Sequence, residues 1–353
     1  GLFLVDEVVQ YASIVSFARG GSFVVDNGYA EYGSADLRMQ YLSNGPDGLV
    51  AQYPFLFTVL AAPFFALAGL RGVFLLNLLG ALASLWLTWR ISERLSDRRT
   101  AVLATLILLL ASFLSNYAVA LWPHAISLAF ALAGAYCAVV AGSTRQVEPI
   151  PALAGGALIA AGIFLRLDVA LILPPLAAWL VLTANRPYAK LLLAGLGMAP
   201  IILAGSWINQ VKFGVFSPIT YGADKGGGTS LTTHLPIIAV VAAACLLIVL
   251  WRQAPRVRRP LIGLIALLAV GGIAALPELR AAILKMAQGL YVLVVDLTQH
   301  PAVGVAKGIE RDKNGIVTFW NFHKKALAQS LPWMGLLPLL VRADVRHRSG
   351  ILL

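Results

Sequence analysis

The stretch "GVFLLNLLGALASLWLTW" at residues 72–89 carries no charged side chain and is long enough to cross a bilayer as a helix. A spanning helix needs about 20 mostly apolar residues. Further apolar runs occupy 101–114 and 235–251. The chain is 59% hydrophobic and 12% charged, with a mean hydropathy of +0.82. A soluble domain carries roughly 25% charged residues. The sequence therefore predicts an all-α polytopic membrane protein.

The connections between the apolar runs differ in charge. The predicted spans are 72–89, 101–119, 122–141, 151–165, 168–184, 189–207, 236–251, 260–276 and 331–341. Alternate connections, at 90–100, 142–150, 185–188, 252–259 and 342–353, carry about half of the 27 Lys and Arg residues but only a quarter of the 16 acids. Short cytoplasmic loops are rich in Lys and Arg. The net charge of +11 is therefore interpreted as an orientation signal rather than a nucleic-acid footprint.

This orientation places the longer connections outside the cytoplasm. The chain 1–353 is predicted to be a single transmembrane domain, with residues 1–5 as the end of a truncated first span. The expected extracytoplasmic loops are 6–71, 208–234 and 277–330. Within the first loop, 53–69 is ambiguous. Its two prolines favour a surface or re-entrant helix, with a further span as the alternative. Cys137 and Cys245 both lie inside predicted spans, so no disulfide framework is expected.

Two adjacent acids, Asp6 and Glu7, stand at the start of "DEVVQYASI". On a helix they align with Gln10 and Tyr11, one turn further on. In one interpretation they end a span in water. In the other, a carboxylate is held at the interface as a general base or metal ligand.

Further candidates lie at the outer ends of spans. Arg166 and Asp168 are embedded in "GIFLRLDVALILPP", and charges at membrane depth commonly pair or mark substrate paths. Arg166 suits a phosphate because its planar fork matches phosphate oxygens; a plain hairpin turn is the alternative. His124, in "LWPHAIS", is either hydrogen-bonded structure or a site residue. Lys225 precedes three glycines that permit close backbone approach, and this segment is either a phosphate-contacting loop or simply flexible.

These pieces together resemble the GT-C membrane glycosyltransferases. The resemblance rests on the Asp-Glu pair, a polar loop, "QYPFL" at 52–56 with Tyr53 opening a surface helix, "LWPHAIS" and "FLRLDVALILPP". In order, it covers about residues 2–225, and the branch it indicates contains protein O-mannosyltransferases, aminoarabinose transferases and bacterial relatives. It implies a GT-C-like helix bundle with long extracytoplasmic loops.

The resemblance also implies a reaction. Family members move a sugar from a polyprenyl-phosphate carrier to a glycan, lipid or protein acceptor on the outer face. Carried over, Asp6 is the general base with Glu7 beside it, and Arg166 and Lys225 meet the donor phosphate. Some family members hold a divalent metal near the acid, so a divalent metal is the one cofactor that the resemblance implies. The expected location is the bacterial inner membrane, with the site on the periplasmic face.

Two rival functions fit the same composition. A lipid or solute transporter would also place Arg166 and Asp168 in the membrane, but it should carry polar residues deep in several spans. A non-catalytic scaffold subunit would use the loops to bind partners, but it should have lost the acid after the first span, and Asp6 is present.

Overall fold

A computed structural model describes residues 5–33 and 41–219, together with a few isolated positions beyond them and two short strands. The chain divides into two compact units, Gly1–Val249 with His347–Leu353, and Leu250–Arg346. In the second unit, the strands β3 (Glu310–Arg311) and β4 (Val317–Thr318) pair antiparallel. Lys225 and most of 277–330 lie outside the described residues.

The first unit begins with elements that the sequence predicts as a loop. Helix α1 (Val5–Gly20) is followed by the short α2 (Tyr29–Tyr32) and a hairpin of β1 (Leu42–Gly45) and β2 (Gly48–Ala51). Helix α3 (Leu56–Ala68) comes next. Its buried residues Phe57 and Ala61 share an apolar core with Ile14 of α1. The stretch after Asp6 and Glu7 thus packs against α3.

The segment 53–69, for which the sequence favours a surface or re-entrant helix, contains helix α3, which begins three residues after the segment's first residue. With 13 residues, α3 is about 20 Å long at 1.5 Å per residue. That is shorter than the roughly 30 Å hydrocarbon layer of a bilayer. Gly69, at φ 60, ends the helix in a conformation that glycine adopts without steric cost, and α4 (Leu70–Leu95) starts at once.

Three described helices are long and apolar enough to cross a membrane: α4, α7 (His124–Ser143) and α10 (Pro187–Phe213). Between α7 and α10 lie α8 (Pro149–Leu165), a 3-10 turn (Leu167–Ile172) and α9 (Leu173–Thr183). The main apolar core joins α7, α8 and α9, with Val139, Ile159 and Trp179 buried in it.

One predicted span is wrong as a continuous helix. The stretch 101–119 forms α5 (Arg98–Leu110) and, after a break, α6 (Leu114–Ala118). At the break the Ser112 hydroxyl donates to the Leu108 carbonyl and accepts from the Leu114 amide. Such side-chain bonds compete with the helical backbone pattern. At the start of α5, the Asp97 carboxylate caps the helix by accepting from the Thr100 amide, and this bond holds the pKa of Asp97 below its usual value.

Close glycine contacts hold the long helices together. A Cβ on Gly156 of α8 would overlap the Ala194 carbonyl of α10, and one on Gly197 of α10 would overlap the Leu153 carbonyl of α8. Small residues let helix backbones approach closely inside membranes. The close packing of α8 against α10 therefore depends on glycine from both helices.

Candidate functional site

The Asp6 carboxylate lies in the first turn of α1, half-buried, and accepts a hydrogen bond from the Tyr53 hydroxyl. Tyr53 stands two residues before the N-cap of α3, and its ring packs against Tyr41 with centroids 6.0 Å apart. The contact joins residues 47 positions apart. Asp6 is therefore a fixed carboxylate between two helix starts.

Lys212, near the end of α10, forms a hydrogen bond with the backbone of Tyr53. Its Nζ donates to the Tyr53 carbonyl oxygen at 2.7 Å. The side chain is buried, with the rings of Phe213 and Phe23 4.7 and 5.7 Å from Nζ. Within the described part of the chain, no carboxylate lies at salt-bridge distance from it. Aromatic faces attract an ammonium through the ring quadrupole and so offset part of the cost of its burial.

Glu7 turns to a different neighbour. Its Oε1 accepts from the Leu121 amide at 3.1 Å, in the connection between α6 and α7. The same connection is held from α4, where the buried Asn77 donates from Nδ2 to the Ala120 carbonyl at 2.6 Å. Glu7 thereby links α1 to the segment that leads directly into His124.

His124 begins α7 inside an aromatic group. Its ring stacks on Tyr117 at a centroid distance of 4.0 Å and an angle of 5°, and Trp122 meets it edge-on at 5.2 Å. Its Nδ1 faces Nη1 of Arg166 at 3.5 Å. The stacking fixes the plane of the imidazole and directs one ring nitrogen towards the arginine.

Arg166 is paired with Asp168. Nε contacts both carboxylate oxygens, at 2.9 and 3.1 Å, and Nη2 contacts Oδ2 at 2.6 Å. The side chains are 26% and 52% exposed, so the pair faces an open region. In a helix, residues two apart do not face each other. Arg166 ends α8 in extended backbone, and this break allows the two side chains to meet.

The predicted site residues thus form two contact groups joined through the segment 121–124. The first is Asp6 with Tyr53, to which Lys212, not predicted from the sequence, adds a hydrogen bond, and the second is His124 with Arg166 and Asp168. Glu7 connects them, through its bond to Leu121. The guanidinium predicted to meet a phosphate is occupied by Asp168, so an anion has to exchange with that carboxylate or use the remaining donors.

Lys212 is the residue that the sequence interpretation missed, because 208–234 is predicted there as a loop. Helix α10 continues to Phe213 and ends at Gly214, which has φ 73. A glycine just past a helix end is a common stop signal. That signal would have extended the helix and placed Lys212 within it.

The described residues alone do not make a metal site. No group of three His, Cys, Asp or Glu side chains comes together among them. Asp6 and Glu7 each already accept a hydrogen bond from the protein.

The comparison with solved structures identifies a similar fold. The oligosaccharyltransferase AglB of Archaeoglobus fulgidus, solved with an inhibitory peptide and a dolichol-phosphate, matches with a TM-score of 0.56 and 13% sequence identity. The match covers 98% of this chain and 42% of the archaeal one, so the chain spans under half of that protein's length. No family model and no curated protein matches the sequence. At 13% identity the likeness shows a similar fold and leaves the family open.

Proposed function

We propose that this chain carries the active site of a membrane glycosyltransferase that takes a sugar from a polyprenyl-phosphate donor. The observation that supports this proposal most is the half-buried Asp6 carboxylate, held by Tyr53 in a chain whose fold resembles an oligosaccharyltransferase. The protein would be a multi-pass bacterial inner-membrane enzyme with its site on the periplasmic face. The acceptor is a glycan, lipid or protein hydroxyl.

In the proposed reaction, Asp6 acts as general base. The acceptor oxygen attacks the anomeric carbon of the donor sugar, and the bond from that carbon to the phosphate oxygen breaks. The acceptor proton passes to Asp6, and the electron pair of the broken bond leaves with the phosphate. General base catalysis of this kind typically contributes about 10²–10⁴-fold. The Tyr53 hydroxyl orients the carboxylate for this transfer.

The leaving phosphate would be met by Arg166. Fixed cations placed where negative charge develops lower the barrier of such a step. Asp168 keeps the guanidinium extended at the outer end of α8 until a phosphate replaces it. Lys225, proposed as a second phosphate contact, lies outside the described residues. Glu7 is proposed to orient the site through its contact with the segment before His124.

The test is transfer by membranes that contain the Asp6→Asn variant, supplied with a panel of polyprenyl-phosphate hexoses and pentoses. We expect transfer to fall at least about 100-fold, the lower end of a general-base contribution, with normal insertion and folding. Asp47→Asn is the matched control, because Asp47 is an exposed carboxylate at the turn between β1 and β2. Undiminished turnover by Asp6→Asn would remove Asp6 as the base.

A further inference from the structure

At the end of the bundle opposite Asp6, helices α7, α8, α9 and α10 enclose an apolar cavity of about 180 Å³. Its wall includes Gly134 of α7, Gly155 of α8, Leu176 of α9 and Gly195 of α10. An apolar cavity of about 150 Å³ is known to hold a benzene ring. This one is therefore large enough for a short apolar segment, such as part of an acyl chain.

One charged side chain, Lys190, lines this apolar cavity. Lys190 is only 1% exposed, and its Nζ donates to the Thr144 carbonyl, just past the end of α7, at 2.7 Å. An ammonium has three donors, and this carbonyl uses one of them. Among the described residues no carboxylate forms an ion pair with Lys190; the exposed Glu148 attracts it only through space. The cavity thus combines an apolar wall with a buried cation.

The position of Lys190 in its helix strengthens the argument. Lys190 lies in the first turns of α10, and Arg186 is the N-cap residue. The start of a helix carries partial positive charge and favours anions, so two cations there are electrostatically unfavourable by themselves. Exposed Arg145 adds a third cation to the neighbouring connection. An anion placed at this end would relieve the excess positive charge.

We propose that this cavity binds an anionic phospholipid, with part of one acyl chain between α7 and α10 and the phosphate at Lys190. Basic pockets between membrane helices commonly bind the head groups of anionic lipids. Charge sidedness in the sequence predicts that this end faces the cytoplasm, where anionic lipid is available. The proposal is independent of the glycosyltransferase reaction, because the cavity and the Asp6 group lie at opposite ends of the helices.

Gly195 is a suitable position for a substitution that fills the cavity. It lines the cavity, is itself exposed, and a Cβ built on it meets no atom within 4 Å. The Cβ of Gly195→Phe therefore meets no atom, its ring is expected to fill the opening, and the loss of a helical glycine favours the helix. Leu196→Phe is the matched control, because Leu196 is the next residue of α10, is 55% exposed and is not among the cavity residues.

The experiment is native mass spectrometry of the full chain in detergent, titrated with phosphatidylglycerol or phosphatidylcholine. The wild-type protein should bind phosphatidylglycerol more tightly than phosphatidylcholine. Lys190→Met should weaken phosphatidylglycerol binding about fivefold, as expected for the loss of one basic residue near an anionic head group. Gly195→Phe should lose the bound lipid, while Leu196→Phe should retain it. A melting curve without added lipid establishes that each variant is folded.

Two results would overturn the proposal. The first is equal affinity of wild type for the two lipids, since Lys190 would then select nothing. The second is unchanged phosphatidylglycerol binding by folded Gly195→Phe, which would place the lipid elsewhere on the protein. Because binding is measured without a sugar donor, failure of the glycosyltransferase assay leaves this outcome unaffected.

Discussion

Tyr53 is the residue whose hydroxyl most directly fixes the proposed base. A hydrogen bond to a charged group contributes about 1.5–3 kcal/mol. We therefore expect Tyr53→Phe to lower kcat by about 10- to 100-fold while the donor KM changes little, because the ring and its packing on Tyr41 remain. Steady-state kinetics in membranes measures both constants. Tyr29→Phe is the control, since Tyr29 lies in the same apolar cluster as Tyr53. A KM effect without a kcat effect would place Tyr53 in substrate binding instead.

Asp168 gives the second prediction at the residue scale. Its carboxylate occupies the guanidinium fork of Arg166, although the pair is partly exposed, and such pairs contribute about 1 kcal/mol or less. If a donor phosphate competes for that fork, Asp168→Asn should tighten donor binding by up to about fivefold. Binding of a polyprenyl phosphate by the purified protein measures this change. Weaker binding would instead mean that Asp168 holds Arg166 in its binding position.

The pairing of Arg166 and Asp168 also shows what the sequence could indicate at this scale. Their charges within an apolar stretch indicate that each needs a partner or a ligand, and the structure shows the two as an ion pair. That they pair with each other depends on the backbone of Arg166, at φ −153 and ψ 127. The sequence gives no local signal for that angle. The position of His124 beside Arg166 depends in turn on how α7 packs against α8.

At the scale of elements, Lys212 joins the end of α10 to the region around the hairpin. We expect Lys212→Met to preserve the fold, because methionine has a similar length and removes the cost of burying a charge. It should nevertheless free the Tyr53 carbonyl and increase hydrogen exchange across 41–55. Exchange measured by mass spectrometry, with Lys190→Met as the control at the far end of the same helix, tests this coupling. Equal exchange in both variants would remove Lys212 as the link.

The contact between α8 and α10 gives a second prediction about elements. Gly197→Ala should destabilise the protein by about 1–3 kcal/mol, because the new methyl group overlaps the Leu153 carbonyl. A backbone carbonyl, unlike a flexible side chain, cannot rotate out of the way. Gly195→Ala, two residues earlier on the same helix, meets nothing within 4 Å and should be neutral or stabilising by up to about 1 kcal/mol. Thermal unfolding in detergent compares them. A similar loss of stability in both variants would indicate a general effect of alanine in this helix rather than an effect of the close contact.

At the scale of the whole molecule, the presence of the long helices was easier to predict from the sequence than the residues at which they end. Long apolar runs gave α4, α7 and α10 because a membrane span requires length and low charge. The break at Ser112 and the extension of α10 past residue 207 were missed. Both depend on single side chains or glycines that leave the average hydropathy unchanged. Because the end of α10 was predicted too early, Lys212 and its contact with Tyr53 were not predicted either.

The distribution of charge between the two ends of the bundle predicts the orientation of the protein. The Asp6 group and the hairpin lie at one end, and Lys190 with the Thr144 carbonyl lies at the other. In a variant with Cys137 and Cys245 replaced by alanine, the substitutions Ser22→Cys and Asp47→Cys each introduce one exposed thiol. Both thiols should react with an impermeant maleimide in intact cells. Cysteines at Ser96 and Gln146 should react only after permeabilisation, because their connections carry the Lys and Arg excess that is retained in the cytoplasm. The reverse pattern would put Asp6 on the cytoplasmic side and exclude transfer on the periplasmic face, while leaving the helix packing unaffected.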